Sequence, residues 1–195
     1  MKNTFKNKIT RTLICGAAVL SVSFFACKKN KTEDEVTPTD IHKSALANLQ
    51  NVYPDTAVSG TATFSQINNG DVTLTLDITV PSKANKSVAV HMHMMNDCGG
   101  NASNAMGHWN PTNSNHGKFG TGSFHLGDIG NINLDKLGHA TYVMTTNAWN
   151  INGTDTSRNV IGKSIIVHSG VDDYVTQPSG NSGNRIGCGG ILINY

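Results

Sequence analysis

The stretch DVTLTLDITV, residues 71–80, decides the fold class, because apolar and polar residues alternate along its whole length. Side chains of an extended chain point alternately to opposite faces, so every second residue of this stretch shares one apolar face. These residues are Val72, Leu74, Leu76, Ile78 and Val80. The preceding TATFSQI also alternates, and NNGD between the two predicts a hairpin turn in which Gly70 supplies the positive φ.

Further strands are predicted along the rest of the domain. They are SVAVHMHM, HATYVMTT, NVIGKSIIVHSG and RIGCGGILINY. Two stretches carry little periodic signal, one from Asn96 to about Leu134 and one from Val171 to Asn184. Loops of that length are usually functional or disordered. With hairpin connections and no helical period after residue 60, the pattern predicts an antiparallel sandwich or barrel.

The first 26 residues differ from the rest of the chain. Four basic residues open the segment, an apolar run follows from Leu13 to Ala26, and Cys27 comes next. The run is short for a membrane span, so residues 1–26 are predicted to be an export signal. The segment resembles a bacterial lipoprotein signal, in which Cys27 would carry the lipid, and plain cleavage nearby or a retained anchor are the alternatives. Residues 27–43 are predicted to be a flexible charged tether, and residues 44–195 the folded domain.

Charge gives no support to a nucleic-acid partner. The chain has 15 Lys and Arg against 13 Asp and Glu, and four of the basic residues belong to the predicted signal. Without that signal 11 basic residues face 13 acidic ones, a net charge of −2. The apparent basicity of the whole chain therefore comes from its first 26 residues.

The four cysteines fall into three groups. Cys15 lies in the predicted signal and Cys27 at its end, which leaves Cys98 and Cys188 in the domain. In an exported, oxidising location this pair is predicted to form a disulfide, and two buried free thiols are the alternative.

Histidines mark a candidate metal centre. His91 and His93 lie one residue apart on a predicted strand, so they share a face. Such a pair is either a chelate or two solvent-facing histidines on an amphipathic strand. The irregular stretch that follows contains His108, His116 and His125, with Asp128 three residues after the last. This donor set suits zinc or copper better than magnesium or calcium, which prefer oxygen ligands.

These residues carry a resemblance to the copper/zinc superoxide dismutases, specifically the exported bacterial type. It spans roughly residues 44–195 and rests on six ordered motifs. They are HMH at His91 and His93, GHWNP at His108, HG at His116, FHLGDIGN from His125 through Asp128, IIVHSGVDD at His168, and GNRIGCGGI with Arg185 three residues before Cys188. The resemblance implies a Greek-key β-sandwich or flattened barrel of about eight antiparallel strands with long metal-binding loops.

The resemblance also implies roles for individual residues. Copper would be held by His91, His93, His108 and His168, and zinc by His108, His116, His125 and Asp128, so that His108 bridges the two ions. Asp172 would link His91 to His116 from outside the ligand set, and Arg185 would dock superoxide. The implied enzyme converts superoxide to dioxygen and hydrogen peroxide. It would be anchored to a bacterial membrane through Cys27 and would face the periplasm or the cell exterior. The resemblance is compatible with a homodimer.

Two alternatives stay open. A non-catalytic copper/zinc-binding or copper-buffering domain on the same scaffold would carry many of the same ligands. Met92, Met94, Met95 and Met106 suggest a copper-thioether set, but Met92 must face away from the two histidines, which favours packing or loop roles for these methionines. Lys118, Lys136 and Lys163 are candidates for a field that steers an anion, while His42 and His139 match no ligand.

Overall fold

Residues 40–195 are described by the structure, which is a computed structural model, and they form nine β-strands and three short 3₁₀ turns. The predicted signal, Cys27 and most of the tether lie outside the described residues. No helix in the described range is long and apolar enough to cross a membrane. The strands are β1 (His42–Asn51), β2 (Ser59–Ile67), β3 (Val72–Thr79), β4 (Ser87–His93), β5 (Gly130–Asn133), β6 (His139–Thr146), β7 (Ser164–His168), β8 (Arg185–Gly190) and β9 (Leu192–Asn194).

Eight strands follow one another in the order β5-β4-β7-β8-β1-β2-β3-β6, and every neighbouring pair is antiparallel. β9 follows β8 along the chain and, like β8, pairs with β1. The connections from β3 to β4 and from β6 to β7 cross between the two halves of this order, as in a Greek key. The predicted antiparallel Greek-key barrel of about eight strands is confirmed.

Two local features differ from the sequence prediction. In the turn between β2 and β3, Asn68 and Asn69 have φ of 50° and 58°, and Gly70 does not have positive φ. The prediction for Gly70 was wrong, because a tight hairpin turn needs positive φ at both central residues and asparagine tolerates that conformation. In addition, β1 begins at His42, inside the range predicted as tether, since His42 pairs with Ile67.

The core lies between the two halves of the barrel. The five alternating residues of the 71–80 stretch are fully buried, with Phe64 and Trp149 packed edge to face beside them. Each large apolar side chain buried in this way contributes roughly 1.5–3 kcal/mol. Met92 also points into this core, whereas its neighbours His91 and His93 are buried on the opposite face of β4. β4 is therefore buried on both faces, and loops cover the face that carries His91 and His93.

Two loops form this cover. The long loop (residues 94–129) joins β4 to β5, and the second loop (residues 169–184) joins β7 to β8. The long loop is attached to β8 by a Cys98–Cys188 disulfide with a Cα–Cα distance of 5.8 Å, which confirms the predicted pairing. The disulfide joins two residues that are 90 positions apart in sequence. Closing so long a stretch restricts the unfolded chain and stabilises the folded protein by roughly 4–5 kcal/mol.

Candidate metal centre

Strand pairing fixes three of the candidate ligands. His91 and His93 lie on β4, which pairs with β7, and His168 ends β7 at a register shift that places it opposite Arg185. An antiparallel bridge pairs His93 with His108 of the long loop. Trp109 N donates to Met92 O at 2.8 Å, so the backbone on either side of His108 is attached to the strand. The loop is therefore held in register where it presents its first histidine.

The predicted site residues form two adjacent groups that share His108. The first contains His91, His93, His108 and His168, and the second contains His108, His116, His125 and Asp128. All seven residues are buried, and within each group the candidate ligand atoms lie within 4.8 Å of one another. The ring centroids of His91 and His108 are 4.0 Å apart. This clustering favours the chelate interpretation of His91 and His93 over that of two solvent-facing histidines.

The ring nitrogens provide a test of whether metals fit. Six buried imidazole nitrogens in the described residues have no hydrogen-bond partner. They are Nδ1 of His91, His116 and His125, and Nε2 of His93, His108 and His168. His116 Nδ1 lies 3.0 Å from Asp128 Oδ2 but lacks hydrogen-bond geometry. Buried polar atoms normally have partners, and nitrogens gathered in two groups are the donor set that copper and zinc accept.

Protonation agrees with this fit. Burial lowers the pKa of His91, His93 and His125, and it lowers the pKa of His168 to about 4. Burial would raise the pKa of Asp128, but hydrogen bonds from the His108 ring and from backbone N–H groups hold that pKa at about 2. His91, His93, His125 and His168 are therefore neutral and the Asp128 carboxylate is ionised at neutral pH, which are the forms that bind a metal.

Asp172, on the second loop, connects the two groups. Its Oδ2 accepts from His91 Nε2 and its Oδ1 from His116 Nε2, both at 2.9 Å. Hydrogen bonds at the far ring nitrogen fix the tautomer and orientation of a ligating histidine. Asn131 of β5 in turn holds the backbone of Asp172, donating to its carbonyl at 2.8 Å and accepting from its N–H at 2.7 Å.

Gln177 makes a similar pair of contacts to His116. The N–H of His116 donates to Gln177 Oε1 at 2.8 Å, and Gln177 Nε2 donates to the carbonyl of His116 at 3.0 Å. The sequence analysis missed both Asn131 and Gln177. Their partners are backbone groups distant in sequence, so no motif in the sequence could have identified them.

Arg185 lies beside the first group at the start of β8. Its guanidinium donates to the carbonyls of Ala102 and, at 2.7 Å, Met106. The Met106 carbonyl also accepts from His93 Nδ1 at 2.8 Å. Because an arginine has five N–H donors and two are used here, the others remain for an anion.

A cavity of about 560 Å³ opens on this arrangement. Its lining includes His93, His108, His125, His168 and Arg185, and among the described residues that line it Arg185 is the only lysine or arginine. Lys163 instead donates to Met94 O at 3.3 Å and lies over the Trp109 ring, while Lys118 lies 6.0 Å from the Tyr174 ring. None of the three lysines considered for steering therefore lines the cavity.

An antiparallel barrel that buries two histidine-rich groups sharing one imidazole, with a cavity beside them, defines a protein built for two neighbouring metal ions. The sequence profile of the family described as copper/zinc superoxide dismutase (SODC) matches residues 58–191. The chain belongs to this family, an oxidoreductase family that binds copper and zinc.

Individual relatives agree with the family match. A superoxide dismutase [Cu-Zn] of Podospora anserina is 35% identical over 150 residues, which cover 73% of this chain and 95% of the relative. A superoxide dismutase [Cu-Zn] of Schizosaccharomyces pombe is 32% identical over 146 residues, which cover 71% of this chain and 92% of that relative. Among solved structures, the crystal structure of the clock protein EA4 superposes with a TM-score of 0.66 at 28% identity and covers 77% of this chain and 94% of that one.

Proposed function

We propose that this superoxide dismutase holds copper at the His91, His93, His108 and His168 group and zinc at the His108, His116, His125 and Asp128 group. The observation that carries the assignment is the cavity, which reaches three members of the first group and Arg185, whereas of the residues that belong to the second group alone it reaches His125. Asp128 and His116 do not line it. A substrate needs access to the redox metal, whereas a structural zinc site is closed.

Copper supplies the electron exchange when bound, since it alternates between two oxidation states and zinc does not. The protein supplies proton transfer and substrate binding. Only His108 belongs to both groups, with Nδ1 toward Asp128 and an unpartnered Nε2 on the other side. In the proposed function His108 Nε2 takes up a proton in one half of the cycle and delivers it to the reduced oxygen species in the other, and water supplies the second proton that hydrogen peroxide needs.

Arg185 binds the anion in this proposal. A guanidinium stays charged at any working pH, and its fork of donors suits a small oxyanion. The two carbonyls that it contacts fix its direction, and its place in the cavity lining puts it beside His93 and His168.

The test is metal analysis of the purified domain, followed by a superoxide assay. We expect one copper and one zinc per chain, loss of copper in His168→Ala with zinc retained, and loss of zinc in Asp128→Ala with part of the copper activity retained. A fully loaded protein that does not accelerate dismutation would support the copper-buffering alternative. Copper loss in Asp128→Ala as complete as in His168→Ala would contradict the division into two sites. Sedimentation of the same sample tests for a homodimer.

We also propose that residues 1–26 are an export signal, that Cys27 is lipidated, and that the tether from residue 27 leads to a domain anchored on a bacterial membrane outside the cytoplasm. The support is the sequence pattern and the Cys98–Cys188 disulfide, which is typical of an oxidising compartment. We expect Cys27→Ser to release the domain from membranes without a loss of specific activity. Cys15→Ser is the matched control, because that residue lies within the signal. An unlipidated mature chain with a different first residue would refute the proposal.

A further inference from the structure

Three methionines lie on the surface next to the proposed copper ligands. Met94, Met95 and Met106 are 43%, 50% and 57% exposed, whereas Met92 is fully buried in the core. We call Met94, Met95 and Met106 the methionine cluster. The proposed catalytic machinery uses none of these three side chains, since Met106 takes part only through its backbone carbonyl.

Backbone pairing brings the cluster together. Past the bridge between His93 and His108, Met94 N donates to Gly107 O and Met95 N donates to Ala105 O, each at 3.1 Å. The carbonyls of Ala105 and Gly107 flank Met106, so these two hydrogen bonds hold the backbone of Met106 close to that of Met94 and Met95. Methionine has three rotatable bonds with which its side chain can adapt to a shared ion.

The backbone of Met106 gives an independent observation. Its φ of 64° and ψ of −152° lie in a region that strongly favours glycine. The side chain is exposed, so core packing does not explain a methionine there. A costly conformation retained for an exposed side chain is a reason to look for a function of that side chain.

We propose that the methionine cluster captures Cu(I) and passes it to the buried copper site. Thioethers are soft, neutral ligands that select Cu(I). Met94 directly follows His93, and the Met106 carbonyl is hydrogen-bonded to the ring of that histidine. Arg185 and Lys163 lie close to the cluster and weaken cation binding, as suits a site that releases its ion. The inference rests on the proposed copper site.

The first experiment measures copper uptake. Zinc-loaded, copper-free protein is mixed anaerobically with limiting Cu(I), and copper retained against a Cu(I) chelator is followed in time. Because local capture raises the effective concentration at the site, we expect the Met94→Leu/Met95→Leu/Met106→Leu variant to load about tenfold more slowly or worse. Final copper content is expected to be unchanged. Met144→Leu, on β6, is the matched control and loads at the wild-type rate.

A second variant separates capture from structure. Met106→Gly relieves the strained backbone, so we expect equal or greater resistance to urea together with slower copper uptake. A purely structural role for Met106 cannot produce that combination. Wild-type uptake rates in both the triple variant and Met106→Gly would overturn the proposal.

The third measurement does not depend on the copper site. In a His93→Ala variant, Ag(I) is added as a redox-silent substitute for Cu(I), and methionine methyl resonances are recorded by NMR. We expect those of Met94, Met95 and Met106 to shift while that of Met144 stays in place. Unmoved methyl signals would overturn the methionine cluster as a metal site. Failure of wild-type protein to retain copper would instead refute the proposed function.

Discussion

Replacing Asp172 with asparagine tests the connection between the two metal groups. The carboxylate accepts from His91 on one oxygen, and from His116 and the Tyr174 N–H on the other. An asparagine keeps one acceptor oxygen and turns an NH₂ group toward the remaining imidazole, whose N–H then loses its partner. Asp172 and both rings are buried, so water does not replace the lost bond.

The magnitude follows from that single hydrogen bond. A hydrogen bond to a charged group contributes about 1.5–3 kcal/mol. Since 1.36 kcal/mol corresponds to a factor of ten, the expected loss of metal affinity is roughly 10–100-fold. The loss should fall on zinc, because His91 is held by the pairing of β4 with β7 whereas His116 lies on a loop.

The assay is a zinc titration of metal-free protein against a competing chelator, with copper affinity measured in parallel. Asp173→Asn is the matched control. Asp173 is exposed and accepts from the N–H groups of Val175 and Thr176, which an amide oxygen does equally well. Zinc affinity within about twofold of wild type in Asp172→Asn, or a copper affinity that falls more than that for zinc, would refute the reasoning.

Three further outcomes are expected. Arg185→Lys should slow dismutation in part and Arg185→Glu should slow it by about tenfold or more, with metal content unchanged in both. The wild-type rate should fall as salt shortens the screening length from about 30 Å at 0.01 M to about 8 Å at 0.15 M. A rate that does not depend on salt would contradict anion docking. Cys98→Ser should lower the free energy of unfolding by roughly 4–5 kcal/mol in urea titrations, and a much smaller loss would mean that the reduced chain keeps this loop closed. Because burial lowers the pKa of His168 to about 4, the contribution of the neutral ring to stability is present above pH 6.5 and is lost as the pH falls from 6.5 to 4. Metal-free protein should therefore lose resistance to urea as the pH falls over that range. The His168→Asn variant should lose less urea resistance over the same range.

Much of the fold could be predicted because alternation reports burial directly. β3 shows this most clearly, since its alternating apolar residues are those that the core buries. β5 was missed because GNIN has four residues and begins with glycine, so too few side chains are left for a period. Its pairing with β4 is a long-range contact that local sequence does not encode.

The candidate site divides in the same way. Ligand residues are chemically distinctive side chains, so His-x-His and the spacing from His125 to Asp128 could be recognised in the sequence. The groups that hold those ligands in place are ordinary. Gln177 and Asn131 act on backbone atoms 61 and 41 residues away, and the Met106 carbonyl acts through an atom that every residue has. Only the fold brings these groups to the site.

The Met106 carbonyl has one further consequence. It accepts hydrogen bonds from both His93, a proposed copper ligand, and Arg185, the proposed docking group. The orientation of both side chains therefore depends in part on one acceptor atom of the long loop. A shift of that loop would disturb the ring and the guanidinium at the same time, although the two residues belong to different strands of the barrel. The geometry between bound anion and metal ligand thus depends on the position of the long loop as well as on the barrel.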